Sequence, residues 1–197
     1  HVDVKDLGID LLSASAHKFG GPRGVGFLYI KNGTRIASLL DGGSQEHGFR
    51  AGTENVAGIV GMAAALKESC DGVKNSEKLC GYERQLLQRL QESGIRLGED
   101  FIWNGNHETT KHLPGLISLS FLGKNGEMLL HRLDLKGIMV ATGAACDSKS
   151  TQVSHVISSI GVPSSFAAGT IRISLSQNSS IEDVDNIANA IVDIMKE

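Results

Sequence analysis

Lys18 stands in "LLSASAHKFGGPRGVGFLYI" (residues 11–30), where an apolar run gives way to a glycine-rich turn and then to a second apolar run. Most lysines are solvated surface groups. One held in a turn directly after a buried strand sits at the edge where open α/β sheets bind ligands. There a partly desolvated amine can form a Schiff base with a carbonyl cofactor. Ser15 and His17 beside it offer a hydroxyl and an imidazole, suited to a phosphate and an aromatic cofactor. The glycines of "GGPRGVG" (20–26) lack the GK[ST] ending of a P-loop and precede a strand rather than a helix. They read as a tight turn with close backbone approach.

Three further places carry candidate chemistry. In "RAGT", Arg50 and Thr53 flank a small residue and a glycine just ahead of a helix start. They could grip a phosphate, or the segment could be an ordinary helix cap. Cys146, in "ATGAACDSKST", has small residues before it and polar ones after it. It is either a small buried hydrophobe or an exposed thiolate nucleophile, and spacing alone leaves both open. Cys70 and Cys80 read as buried small hydrophobes. Arg172, in "TIRISL", should share one strand face with Ser174, opposite Ile171, Ile173 and Leu175. An arginine on an inner strand pairs with a carboxylate, either a structural Asp or Glu or a substrate's α-carboxylate. The seven histidines include no H-x₃-H pair; apart from His17 none is given a role, and no metal is expected.

These residues need elements to hold them. The apolar runs at 9–15 and 24–30 have strand length, and a long polar, glycine-spaced loop over 31–55 follows. Loops of that length in compact domains are uncommon unless they are functional or disordered. "TENVAGIVGMAAALKES" reads as a helix with small apolar residues on most faces, tightly buried, with Thr53 or Asn55 as its cap. Leu79, Tyr82, Leu86 and Leu90 mark a long amphipathic helix that stops at Gly94. Strands at 116–121, 138–142 and 170–175 then alternate with helices at 126–137, about 152–160 and 181–196. Ser179 and Glu182 have capping-box spacing for the last helix, and Gly137 and Gly161 suit helix C-termini. The division expected is 1–75, the tail of a larger α/β domain; 76–94, a connecting helix; and 95–197, a smaller α/β domain.

The bulk properties narrow the class. The chain has 197 residues, 41% of them hydrophobic, and a formal net charge of −3. That balance gives no electrostatic case for nucleic acid or an acidic membrane surface. No apolar run is long enough to span a bilayer. Three scattered cysteines suit a reducing compartment, so a cytoplasmic α/β protein is expected. The chain begins at His1 in what reads as the middle of an α/β unit, so it is expected to be part of a larger protein.

Taken together, the motifs resemble the cysteine desulfurases, pyridoxal-phosphate enzymes of aminotransferase class V and fold type I. "SASAHKFGGPRGVGFLYI" resembles their cofactor-lysine segment, and "GGSQEHGFRAGTENVAGIVG" the loop that reaches the partner subunit's cofactor. "ATGAACDSKSTQVSHVISSIGV" is similar to their long active-cysteine loop, and "GTIRISLS" to the strand holding the substrate's carboxylate. The resemblance implies the C-terminal part of such an enzyme: the tail of the large mixed-sheet domain plus the small α/β domain. It implies that Lys18 bonds to the cofactor and moves substrate protons, while Ser15 and His17 hold the cofactor's phosphate. Thr53 would reach the phosphate bound by the partner subunit, and Arg50 would line that shared site. Arg172 would clamp the carboxylate of L-cysteine, and Cys146 would take its sulfur as a persulfide. A homodimer and a sulfur-acceptor protein, such as an iron–sulfur scaffold, follow as implied partners. Selenocysteine lyases share much of this pattern. A class V aminotransferase and a non-catalytic dimerising fragment stand as further alternatives.

Overall fold

The computed structural model describes residues 2–70, 76–108, 111–142 and 153–197. The chain divides into two compact units, His1–Val73 and Lys74–Glu197.

The first unit begins with an antiparallel pair, β1 (Leu11–Ser15) and β2 (Gly26–Ile30), in which Ser15 lies opposite Gly26. A 3-10 turn at Ala16–Lys18 and the glycines after it join the strands. Two of those glycines explain the sequence. A Cβ on Gly21 would lie 2.9 Å from the Ala16 Cβ, and one on Gly26 would lie 2.4 Å from the Ala14 carbonyl oxygen. The turn is therefore the close-approach device its composition predicts. After the loop, α1 (Val56–Cys70) starts at Asn55, whose Oδ1 accepts from the Gly58 N–H (3.1 Å). Asn55, not Thr53, is the cap.

Two expectations fail in this unit. α1 was expected to be tightly buried, yet Gly58 is its one buried residue, and Val56 and Val60 are about two-thirds exposed (67% and 64%). Its small residues do allow close approach, since a Cβ on Gly61 would sit 2.8 Å from the Pro22 ring. The described part of the unit holds no second layer to cover the other faces. Cys70, at the end of α1, is exposed for the same reason.

The second unit is a three-stranded antiparallel sheet, β3 (Phe101–Trp103), β4 (Leu116–Phe121) and β5 (Thr170–Ser174), in that order. Its core joins α2 (Ser76–Glu92), α3 (Gly126–Asp134) and α6 (Ile181–Lys196) to one face of the sheet. Leu86 and Leu90 of α2 and Ile117, Leu119 and Phe121 of β4 are fully buried there. We expect Leu90→Ala to lower unfolding stability by about 2–5 kcal/mol, the range for emptying a packed leucine site, measured by denaturant titration. α2 and α6 are also pinned by Asp185, which accepts from Gln85 Nε2 (2.8 Å) and Arg89 Nε (3.0 Å). α4 (His155–Ser159) and α5 (Ser164–Ala167) precede β5. Gly137 (φ 77°) and Gly161 (φ 79°) end their helices in the left-handed region, as expected.

Two sequence expectations need correction here. Residues 138–142 form no strand; Ala141 alone bridges to Arg172, with hydrogen bonds of 3.0 and 2.6 Å. The capping box is Ser180–Asp183, not Ser179–Glu182. The Ser180 N–H donates to Asp183 (2.7 Å), and the Asp183 N–H donates back to the Ser180 hydroxyl (3.1 Å). The Ser180 backbone and then its hydroxyl hold the Asp183 carboxyl below the usual carboxylate range. A depressed carboxylate stabilises the fold above its unfolded value and loses that effect as the pH falls. Asp183→Ala should therefore lower Tm at neutral pH, and the gap from the parent should close on acidification below about pH 4. Thermal melts across that range check it.

Candidate active site

Lys18 closes the 3-10 turn at the C-terminal end of β1. Ala16, wholly buried, anchors the turn by donating its N–H to the Val25 carbonyl (3.0 Å) and accepting from Gly21 (2.8 Å) and Phe19 (3.1 Å). With Ala16 turned inward, Ser15, His17 and Lys18 are exposed on either side of it. The expectation of a partly desolvated lysine does not hold for this chain. A hydroxyl, an imidazole and a primary amine are nonetheless gathered within four residues on a fixed backbone.

Arg50 and Thr53 are also exposed, in a loop that is shaped rather than slack. Gln45 opens a 3-10 turn (Gln45–Gly48), and its Oε1 accepts from the Gly52 N–H (3.1 Å), tying the loop's two sides together. Glu46 (φ 48°) and His47 (φ 57°) are held in the left-handed region. For side chains larger than glycine that conformation costs roughly 1 kcal/mol or more each, and such strain clusters at functional sites. The Arg50 guanidinium folds back onto the Ala51 carbonyl.

Arg172 lies at the middle of β5, with Ile171 and Ile173 buried on the opposite face, as strand alternation requires. It is paired across the ladder with Ser118 of β4. The same face carries Asn104, whose Nδ2 donates to the hydroxyls of Ser118 (3.1 Å) and Ser120 (2.7 Å). Ser120 continues the chain to Thr170 (2.7 Å). Two buried side-chain atoms on this face have no hydrogen-bond partner among the described residues: Arg172 Nε and Asn104 Oδ1. A buried guanidinium nitrogen without an acceptor is costly unless an anion completes it. Among the described residues no carboxylate, one of the two sequence readings for Arg172, is hydrogen-bonded to that nitrogen. Asn104 went unassigned in the sequence; its short polar side chain after the strand "FIW" is no signal by itself.

Cys146 lies outside the described residues. The other candidates are distributed over both units: Ser15, His17, Lys18, Arg50 and Thr53 in the first, Arg172 in the second.

A lysine turn at a strand end, a strained loop carrying Arg and Thr, and an arginine with an open nitrogen on β5, which is the last strand of its sheet and not the inner strand expected, belong to an α/β protein. A sequence model described as Aminotransferase class-V matches residues 1–187, and the chain belongs to that family. It is 44% identical over 197 residues to a protein of Clostridium botulinum named cysteine desulfurase IscS, covering 100% of this chain and 49% of that one. A solved structure titled as a NifS-like protein superposes with a TM-score of 0.82 at 33% identity, covering 98% of this chain and 48% of the other. A structure titled "SspA in complex with cysteine" matches with a TM-score of 0.63 at 27% identity, covering 91% and 47%. The chain spans about half the length of the relatives it matches. It is a mixed α/β chain in two units, and its architecture is that of about half of the NifS-like structure.

Proposed function

We propose that this chain provides the lysine, arginine and cysteine of a pyridoxal-phosphate-dependent cysteine desulfurase. The overall reaction converts L-cysteine and the Cys146 thiol to L-alanine and a Cys146 persulfide. The observation that carries this reading is the buried, partnerless Nε of Arg172, an open cationic donor suited to an amino acid's carboxylate. The names of the similar proteins support a desulfurase, and the cysteine complex of the SspA structure supports L-cysteine as the substrate.

The residues present fit the cofactor's aldehyde and phosphate ends. Lys18 supplies the amine, Ser15 and His17 supply hydrogen-bonding groups for the phosphate, and buried Ala16 fixes the backbone between them. When bound, pyridoxal phosphate supplies an electron sink at the substrate's α-carbon. Lys18 Nζ holds and moves the proton at that carbon, as a positioned base. Arg172 orients the substrate through its carboxylate. The Cys146 thiolate, preceded in the sequence by Gly143, Ala144 and Ala145, accepts the sulfur and passes it on to an acceptor protein such as an iron–sulfur scaffold. Arg50 and Thr53, exposed in this chain, serve the partner's cofactor phosphate in a homodimer. A cytoplasmic location fits free thiols that must stay reduced.

Arg172→Ala should raise the KM for L-cysteine by roughly ten- to a hundredfold, the scale of a lost charge-assisted hydrogen bond. Steady-state alanine production checks it. The direct test of the cofactor anchor is borohydride reduction of the full-length protein with pyridoxal phosphate, followed by peptide mapping. A pyridoxyl group on Lys18 is expected; a reduced protein with Lys18 unmodified overturns the reading.

A further inference from the structure

Cys80, Glu83 and His112 form no ligand motif along the chain, yet the fold brings them together. Cys80 and Glu83 are one turn apart on α2, both buried, and His112 comes from the segment before β4. Cys80 Sγ, a Glu83 carboxylate oxygen and a His112 ring nitrogen all lie within 4.8 Å of one another. Glu83 is 2% exposed, and the His112 side chain is 13% exposed.

The hydrogen bonds fix what each group presents. His112 Nδ1 lies 3.0 Å from the Glu108 carbonyl oxygen, which can only accept, so Nδ1 carries the ring proton. In the neutral ring Nε2 then presents a lone pair. It faces Glu83 Oε2 at 2.9 Å, itself an acceptor when ionised. Two acceptors at that distance need a proton or a metal ion between them. The other carboxylate oxygen, Oε1, accepts from the Gly115 N–H at 2.6 Å. Gly115 is held at φ 87° with Leu79 against it, so this N–H is fixed in place.

Histidine bonded through one nitrogen to a backbone carbonyl, and a carboxylate bonded through one oxygen to a backbone amide, are the outer supports of metal ligands. A thiolate, an imidazole and a carboxylate are the donor set of a zinc-type ion. The two anionic ligands would also balance a divalent charge in this buried place. We propose that Cys80, Glu83 and His112 bind a zinc-type divalent cation that staples α2 to the segment leading into β4. This site is independent of the proposed desulfurase chemistry and uses none of its residues.

Cobalt(II) titration of the full-length Cys70→Ser/Cys146→Ser protein tests it, because the remaining thiol of this chain is then Cys80. One equivalent per chain should bind, with thiolate-to-cobalt charge transfer and tetrahedral visible bands. Adding Cys80→Ala should abolish the charge-transfer band, and His112→Gln should weaken binding by at least about tenfold, the scale of disturbing a ligand shell. Zinc should raise Tm in the parent and not in the Cys80→Ala protein, whose fold is checked by circular dichroism. No cobalt uptake means that a proton alone joins His112 and Glu83, and it overturns the proposal. A charge-transfer band that survives Cys80→Ala overturns it as well.

Discussion

Cys146→Ala is expected to abolish persulfide formation while leaving the yellow colour of the bound cofactor intact. The two effects separate because different residues carry them. In the proposed reaction cofactor attachment rests on Lys18, which shares a turn with His17 just after Ser15. Sulfur acceptance needs a thiolate, and alanine offers no nucleophile in its place. Alanine production from L-cysteine should fall by at least roughly 10³-fold, in keeping with removal of a catalytic nucleophile. Normal alanine release, or loss of cofactor colour, would contradict the role given to Cys146.

Lys18→Ala should remove both turnover and covalent cofactor attachment. A methyl group can neither form the Schiff base nor move a proton, and proton transfer alone contributes roughly 10²–10⁴-fold. The variant should fold normally, because Lys18 is exposed while neighbouring Ala16 makes the turn's buried contacts. Unchanged circular dichroism with absent turnover is the expected pair of readouts. Retained activity would remove the basis for the proposed reaction.

Much of the second unit was legible because its signals are local and strong. The strand at 116–121 and the helix at 181–196 lie where alternation and apolar periodicity put them. The cap one residue from its expected position shows the limit of such reading. Ser179–Glu182 and Ser180–Asp183 have identical spacing, and only tertiary packing chooses between them. Ser179 instead accepts from the Ser176 N–H through its hydroxyl (3.0 Å). The strand expected at 138–142 reduced to one bridge because an apolar run after Gly137 can also serve as an edge that packs without a ladder. Ile138 and Val140 rest against the core while Met139 is 85% exposed.

The first unit was less legible, for a different reason. Small apolar residues on most faces of α1 predict burial, but burial needs a covering layer, and the described residues of this unit do not contain one. The Cys80–Glu83–His112 cluster was hidden by distance along the chain. One signal was present: Glu83 falls on the same stripe as Leu79, Leu86 and Leu90. A carboxylate on the buried face of an amphipathic helix must find a partner. That partner, His112, lies 29 residues away and could not be read from spacing.

In the proposed reaction sulfur from L-cysteine comes to rest on Cys146. Mass spectrometry of the full-length protein, loaded with pyridoxal phosphate, mixed briefly with L-cysteine and trapped with a thiol-alkylating agent, tests it directly. One added sulfur atom is expected on the peptide containing Cys146, with Cys70 and Cys80 unmodified. An unmodified Cys146 alongside continuing alanine release, or the extra sulfur on Cys70 or Cys80, would contradict it.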